Sequence, residues 1–209
     1  MVESRRPSAF PPPPSRPRER TASTPCVRAS VLTAYRLTAE RMFGPAGLED
    51  IAAALPPDCL MHTLRSPARE DWVPEYYLVD WVHAIWEGPA KQDARTFDRF
   101  IEQEIRQGFG TFRALFLSVA VGPRSLLGRS EGFWRDFHTH GRFVVTPAQG
   151  DDAREVTVEL SDHPYCDAPI TRKMFAESLR NILALTRAKG TRASHTYGGG
   201  TLRVKLGWD

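Results

Sequence analysis

The run Trp134-Arg135-Asp136-Phe137-His138-Thr139-His140-Gly141 holds the chain's densest set of groups able to bind metal or move protons. On a strand, two imidazoles two residues apart share a face, and with Asp136 nearby they would start a metal site. On a helix the same two positions diverge by about 200°, which prevents chelation. The run ends at a glycine, and the pattern before it is helical. The reading taken is a helix C-terminus closed by Gly141, with an imidazole meeting the negative end of the helix dipole. No HExxH motif and no second His/Cys cluster accompanies it, so neither a metal nor a cofactor is expected.

A second candidate is His163-Pro164-Tyr165-Cys166-Asp167. A thiol at a helix N-terminus has a lowered pKa, so Cys166 could act as a nucleophile with His163 or His195 as its base. A buried, inert cysteine beside a helix cap fits the same residues. That reading is preferred, and no catalytic residue is assigned. Gly198-Gly199-Gly200 is followed by alternating residues and not by a helix, which makes it a turn and not a phosphate cradle. No Walker lysine-serine pair is present. Trp72, Tyr76, Tyr77, Trp81 and Trp86 fall mostly at core spacing, with Tyr76 off the apolar stripe and expected at the surface. The residues set down as lining a pocket for a small apolar molecule or lipid are Trp72, Tyr77, Trp81, Phe116 and Trp134.

These groups must be positioned by elements that the periodicity outlines. Apolar positions predict one helix over 31–43, a Gly44-Pro45 break, and a second helix from Leu48 to Leu55 stopped by Pro56-Pro57. Trp72-Val73-Pro74 leads into a helix over 75–86, and another follows over 93–106. The apolar stretch 114–121 reads as a buried helix, and 123–139 as one or two more. The character changes at Gly141. Phe143-Val144-Val145 suggests a strand, and Val156, Val158 and Leu160 alternate with polar residues in a second. Asp167 and Pro169 open a long helix closed by Gly190. A hairpin ends the chain, with Leu202, Val204, Leu206 and Trp208 on one face. Helices followed by strands make this an α+β fold, helix-rich for its first two thirds and ending in a small antiparallel sheet.

The bulk numbers narrow the function further. Of 17 prolines, seven lie in residues 1–26, a stretch expected to be a disordered, Pro/Arg-rich tail ahead of a single domain over 27–209. That tail carries five arginines against two glutamates, which is the whole of the +3 formal charge. The domain is neutral, so nucleic acid is not an expected partner. No apolar run approaches the roughly 20 residues of a membrane span. Three scattered cysteines without ligand spacing suit reduced thiols in a cytoplasm.

The order of local motifs resembles a myxobacterial paralogous family of uncharacterised proteins. The motifs are Val27-Arg28-Ala29-Ser30-Val31-Leu32, Phe43-Gly44, the helix from Ile51 to Pro56, Trp72-Val73-Pro74, Phe133-Trp134 ahead of Gly141-Arg142, and the closing helix and hairpin. That family is distantly similar to 4-vinyl-reductase-type domains, haem-NO-binding-associated domains and transport-complex subunits of the TRAPP type. The resemblance implies a helices-plus-sheet fold with a ligand or lipid pocket, used for bacterial signalling or for scaffolding and often dimeric, without catalysis. Cysteines common near the terminal hairpin of those relatives are missing from His195 to Trp208. The function expected is a non-catalytic binding or sensory domain. The alternative is a protein-binding scaffold or adaptor.

Overall fold

A computed structural model describes residues 24–64, 68, 71–108, 122–148, 154–186 and 188–209. The tail expected over 1–26 lies outside them up to residue 23, as do Phe116 and the helix expected over 114–121.

The described chain opens with strand β1 (Cys26–Arg28) and α1 (Ala29–Ala54), two helical segments that meet at a kink at the expected break. Gly44 takes φ +66°, a left-handed conformation that glycine adopts without strain, and Pro45 removes a backbone donor just beyond it. Helix α2 (Pro57–Leu64) follows, then strand β2 (Trp72–Pro74) and helices α3 (Tyr76–Glu87) and α4 (Ala94–Gly108). Two short helices, α5 (Pro123–Leu127) and α6 (Ser130–Phe137), lead to strands β3 (Arg142–Pro147) and β4 (Glu155–Ser161). Helix α7 (Pro169–Ala184) and the hairpin β5 (Arg192–Gly198) and β6 (Thr201–Gly207) complete the chain. The α+β reading holds.

The four C-terminal strands form one antiparallel sheet in the order β3-β4-β6-β5, with Val158 opposite Val204 and Leu160 opposite Leu202. Alternation divides its faces. Val156, Val158, Leu160, Leu202, Val204 and Leu206 are buried, and α7 packs against the sheet with Ile170, Met174 and Leu183 also buried. The outer face carries the ion pairs Arg203–Glu159 (2.7 Å) and Lys205–Glu155 (2.9 Å). On its other side α7 meets α4, and α1 packs on α3 and α4. The apolar core is therefore continuous from the helices to the sheet.

Several local expectations are corrected. Trp72-Val73-Pro74 is not just a lead-in but a strand, paired with β1 in the register Cys26–Pro74, Val27–Val73, Arg28–Trp72. Three-residue strands fall below the reach of period-2 analysis. Tyr76 is buried, with its ring edge-on to Tyr77 at 4.9 Å, because α3 is buried on nearly every side. Asp167 does not cap α7. Ala168 holds that position with no side-chain cap bond, and Pro169 sits at the first turn as expected. The helix also stops at Ala184, well before Gly190.

Two titratable groups lie buried in the helical core. His83 of α3 has neither ring nitrogen hydrogen-bonded among the described residues, and burial lowers its pKa to about 4. Glu104 of α4 is buried as well, and desolvation raises its carboxyl to about 8. The unfolded carboxyl titrates near 4.5, so between those values the native state holds a proton that the unfolded chain has lost. The stability contributed by the neutral acid is complete below about pH 4.5 and is lost as pH rises through 8. Glu104→Gln, which mimics the neutral acid, should stay within about 1 kcal/mol of the parent at pH 5 and exceed it by about 2–4 kcal/mol at pH 8.5 in urea denaturation. His83 works in the opposite direction below pH 6.5 but is shared by both proteins, so it cancels in the comparison. An equal difference at the two pH values would show that Glu104 is not held neutral.

Candidate functional site

The backbone around β1 brings three distant segments together. Beyond the β1–β2 pairing, the Glu75 N–H donates to the Pro25 carbonyl at 2.9 Å, which fixes the residue that follows β2. On the other side of β1, Val27 forms a bridge with His138, the Thr139 N–H donates to the Cys26 carbonyl at 3.0 Å, and the Cys26 N–H donates to the Thr139 hydroxyl at 2.8 Å. Arg28 ties the same strand down, its Nε donating to the Asp136 carbonyl at 3.1 Å and its guanidinium lying 4.0 Å over the Trp72 ring. This pairing ends α6 at Phe137. His138 is extended (φ −130°, ψ 138°), and its backbone N–H still closes on the Trp134 carbonyl. The helix therefore stops four residues before the expected Gly141, and His138 does not cap it through its side chain.

The His138 ring turns inward instead. Its Nδ1 is 2.8 Å from Oε1 of Glu75, and Nε2 of His163, from the β4–α7 connection, is 3.0 Å from the same oxygen. The carboxylate side chain is 1% exposed, the His163 ring is equally buried, and the His138 ring is 12% exposed. Burial pushes the Glu75 carboxyl pKa up, but the positive charge of His163 and His138 and their N–H groups outweigh it and hold the group well below the usual carboxylate range. For His163 burial acts to lower the pKa, and the Glu75 carboxylate with the Cys166 thiol raises it above the ordinary imidazole value. The second carboxylate oxygen, Oε2, is buried with no hydrogen-bond partner among the described residues.

The surroundings fix these rings. Trp134 stacks on His138 with centroids 3.8 Å apart and planes 7° from parallel, and its other ring neighbours are Phe143 (5.3 Å), His163 (5.6 Å) and Phe175 (5.7 Å). The indole N–H donates to the His140 carbonyl at 2.9 Å. His163 Nδ1 lies 3.6 Å from the Cys166 Sγ. Gly141 (φ +88°) has to be glycine, because a Cβ there would meet Leu160 Cδ1 at 2.8 Å, His163 Cδ2 at 3.1 Å and Trp134 Cζ2 at 3.3 Å.

The expected site residues are only partly united. Trp134 is at the cluster. Tyr77 and Trp81 face α2, where Tyr77 stacks on His62 and the Trp81 indole N–H donates to the Thr63 hydroxyl at 3.3 Å. Trp72 lies under Arg28. The His138/His140 pair is split, since His140 points to the Thr139 hydroxyl at 3.0 Å. Cys166 and His163 do meet, but the thiol is wholly buried, and His195 lies on the exposed strand β5. Glu75 was missed altogether. The available signal was weak: a lone acid between a proline and an apolar helix, which reads as a first-turn residue.

One atom from each of Glu75, His138 and His163 lies within 4.8 Å of the others, a donor set able to hold a proton or a metal ion. Truncating the carboxylate leaves two imidazoles facing each other without it. Glu75→Ala should lower stability by about 3–5 kcal/mol in urea denaturation. His140→Gln, which keeps the backbone carbonyl that Trp134 uses, should cost less than about 1 kcal/mol. Equal losses from the two would mean that the cluster carries no special share of the stability.

No family model matches the chain, and no curated protein does. Solved structures do. An Fe(II) unliganded H-NOX protein from K. algicida superposes with a TM-score of 0.61 at 10% identity, covering 87% of this chain and 96% of that one. A structure from work probing haem distortion in the H-NOX family gives 0.57 at 11% identity, covering 87% and 95%. An oxygen-binding H-NOX domain related to soluble guanylate cyclases gives 0.54 at 12% identity, covering 87% and 95%. The chain has the H-NOX fold. At such identities the likeness extends to architecture and not to site residues, and the narrower resemblance to the myxobacterial family finds no match.

Proposed function

We propose that this chain is a non-catalytic sensory domain that binds a small ligand in its interior and relays occupancy through the seam at Glu75. The observation that carries this reading is the Glu75 carboxylate, which joins His138 and His163 from positions 63 and 88 residues away. A ligand that engages any one of these groups must disturb all three segments, which is the coupling a sensor needs. The fold supports the reading, since the structures it resembles include an oxygen-binding domain related to soluble guanylate cyclases.

Haem, named for one of those relatives, does not suit this chain's histidines. An axial imidazole needs a ring nitrogen facing a porphyrin-sized space. His138 and His163 each direct one nitrogen at Glu75, the second nitrogen of His163 lies against Cys166, and the His138 ring is covered by Trp134. His140 faces Thr139, and His195 lies on an exposed strand. His62 stacks on Tyr77. His83 has both nitrogens unpaired, but a void beside it would leave neighbouring side chains accessible, and every residue from Tyr76 to Trp86 is buried. No step through haem is ascribed to this protein.

Hydrogen exchange read by mass spectrometry tests the coupling. In His138→Gln, protection should fall together in peptides covering 24–28, 72–76 and 160–168, by at least about tenfold in exchange rate, while β6 stays protected. Loosening confined to the peptide that carries residue 138 would break the sensory reading and favour a scaffold whose seam is inert.

A further inference from the structure

The hydrogen bonds at Glu75 leave something unexplained. One carboxylate oxygen takes both imidazole N–H groups, while the other is equally buried and takes none. An unmet buried acceptor on a charged group is costly, and a purely structural ion pair would be expected to spread its donors over both oxygens. The arrangement resembles the donor half of a coordination shell instead. Two imidazole nitrogens and a carboxylate, on three separate segments, converge within 4.8 Å of one another.

We infer that Glu75, His138 and His163 bind one divalent first-row transition-metal ion, with at least one coordination position left for an exchangeable ligand. Two histidines and a carboxylate form a donor set of intermediate softness, suited to zinc(II) or iron(II) and poorly suited to calcium or magnesium, which prefer oxygen donors alone. Bonds of about 2.0–2.2 Å to a tetrahedral ion separate the donors by about 3.3 Å, so the 2.8 and 3.0 Å contacts need to open by a few tenths of an ångström. The two imidazole nitrogens, within 4.8 Å of each other, need to draw together.

Outer contacts orient both rings. A ligating histidine has its far ring nitrogen held by a neighbour. His163 has its far nitrogen, Nδ1, against the Cys166 sulfur at 3.6 Å, and His138 is held flat against Trp134 at 3.8 Å. The partly exposed His138 ring provides the way in from solvent. Cys166 supports His163 from behind and is not a ligand. The inference deepens the sensory reading by naming its ligand class, and rests on it only in using the same seam.

The test uses the full chain, stripped with a chelator and titrated with cobalt(II) and then zinc(II). After desalting, the parent protein should retain one equivalent of zinc, and cobalt should give the visible absorption of a low-symmetry site. Glu75→Gln and His138→Gln, checked for folding by circular dichroism, should each weaken zinc binding by at least about 100-fold, beyond the 10–100-fold that losing an outer partner costs. His140→Gln and His195→Gln should still bind one equivalent. X-ray absorption on the zinc-loaded parent needs no variant, and it should show two imidazoles and no sulfur. No retained metal, equal binding by Glu75→Gln and the parent, or a shell with sulfur or fewer than two imidazoles would overturn the inference. Those outcomes leave the hydrogen-exchange result untouched, so a failed metal site and a failed sensory reading are told apart.

Discussion

An ionised carboxylate taken out of water loses several kcal/mol of solvation that only close opposite charge and hydrogen bonds can offset. Glu75 imposes that condition on this fold. Its two compensating imidazoles come from the far end of α6 and from the β4–α7 connection, so neither can be supplied locally. The two-stranded ribbon, the bridge from Val27 to His138 and the Thr139 bonds to Cys26 are the means by which the backbone delivers them. Gly141 follows from the same demand, because the chain has to pass between Leu160, His163 and Trp134 on its way into the sheet. The seam is thus specified by charge compensation as much as by apolar packing.

Much of the architecture was legible because it rests on periodicity. Val156, Val158 and Leu160 alternate because one face of β4 lies on the core, and the closing hairpin announces itself through the same alternation about Gly199-Gly200. The break inside α1 is marked by Gly44-Pro45, where the backbone leaves the helical conformation. The cluster was not legible. His138 and His163 each stand out in the sequence beside a local partner, His140 in one case and Cys166 in the other. Their common partner, Glu75, lies 63 and 88 residues away, and no spacing rule reaches that far. The strands that align them are three residues long and carry no usable period. Asp167 shows the converse error. A good capping residue stands one position from the cap, yet the β4–α7 turn, held by the Cys166 N–H to the His163 carbonyl at 3.3 Å, sets α7 to begin without it.

An architecture shared at 10–12% identity is intelligible in these terms. Helices packed on one face of an antiparallel sheet need only apolar residues at the right period, which many sequences satisfy. A site needs particular atoms, and those can change while the layers remain. Here two of the interior imidazoles are already joined to a carboxylate.

The position of that cluster also bears on how a signal would travel. An exposed pair such as Arg135 with Glu131 links two residues of one helical turn, and its loss changes nothing beyond that turn. Glu75 is different because the bodies on either side of it are stiff. Helix α3 begins at the next residue and is buried nearly all round, while His163 leads through a tight turn into α7, which lies on the sheet. Small shifts at a junction between well-packed bodies are not absorbed locally, since close-packed interiors deform little. They reappear as rigid displacement of the bodies themselves. On the sensory reading proposed above, a change of charge or coordination at Glu75 would act on the placement of the helices against the sheet.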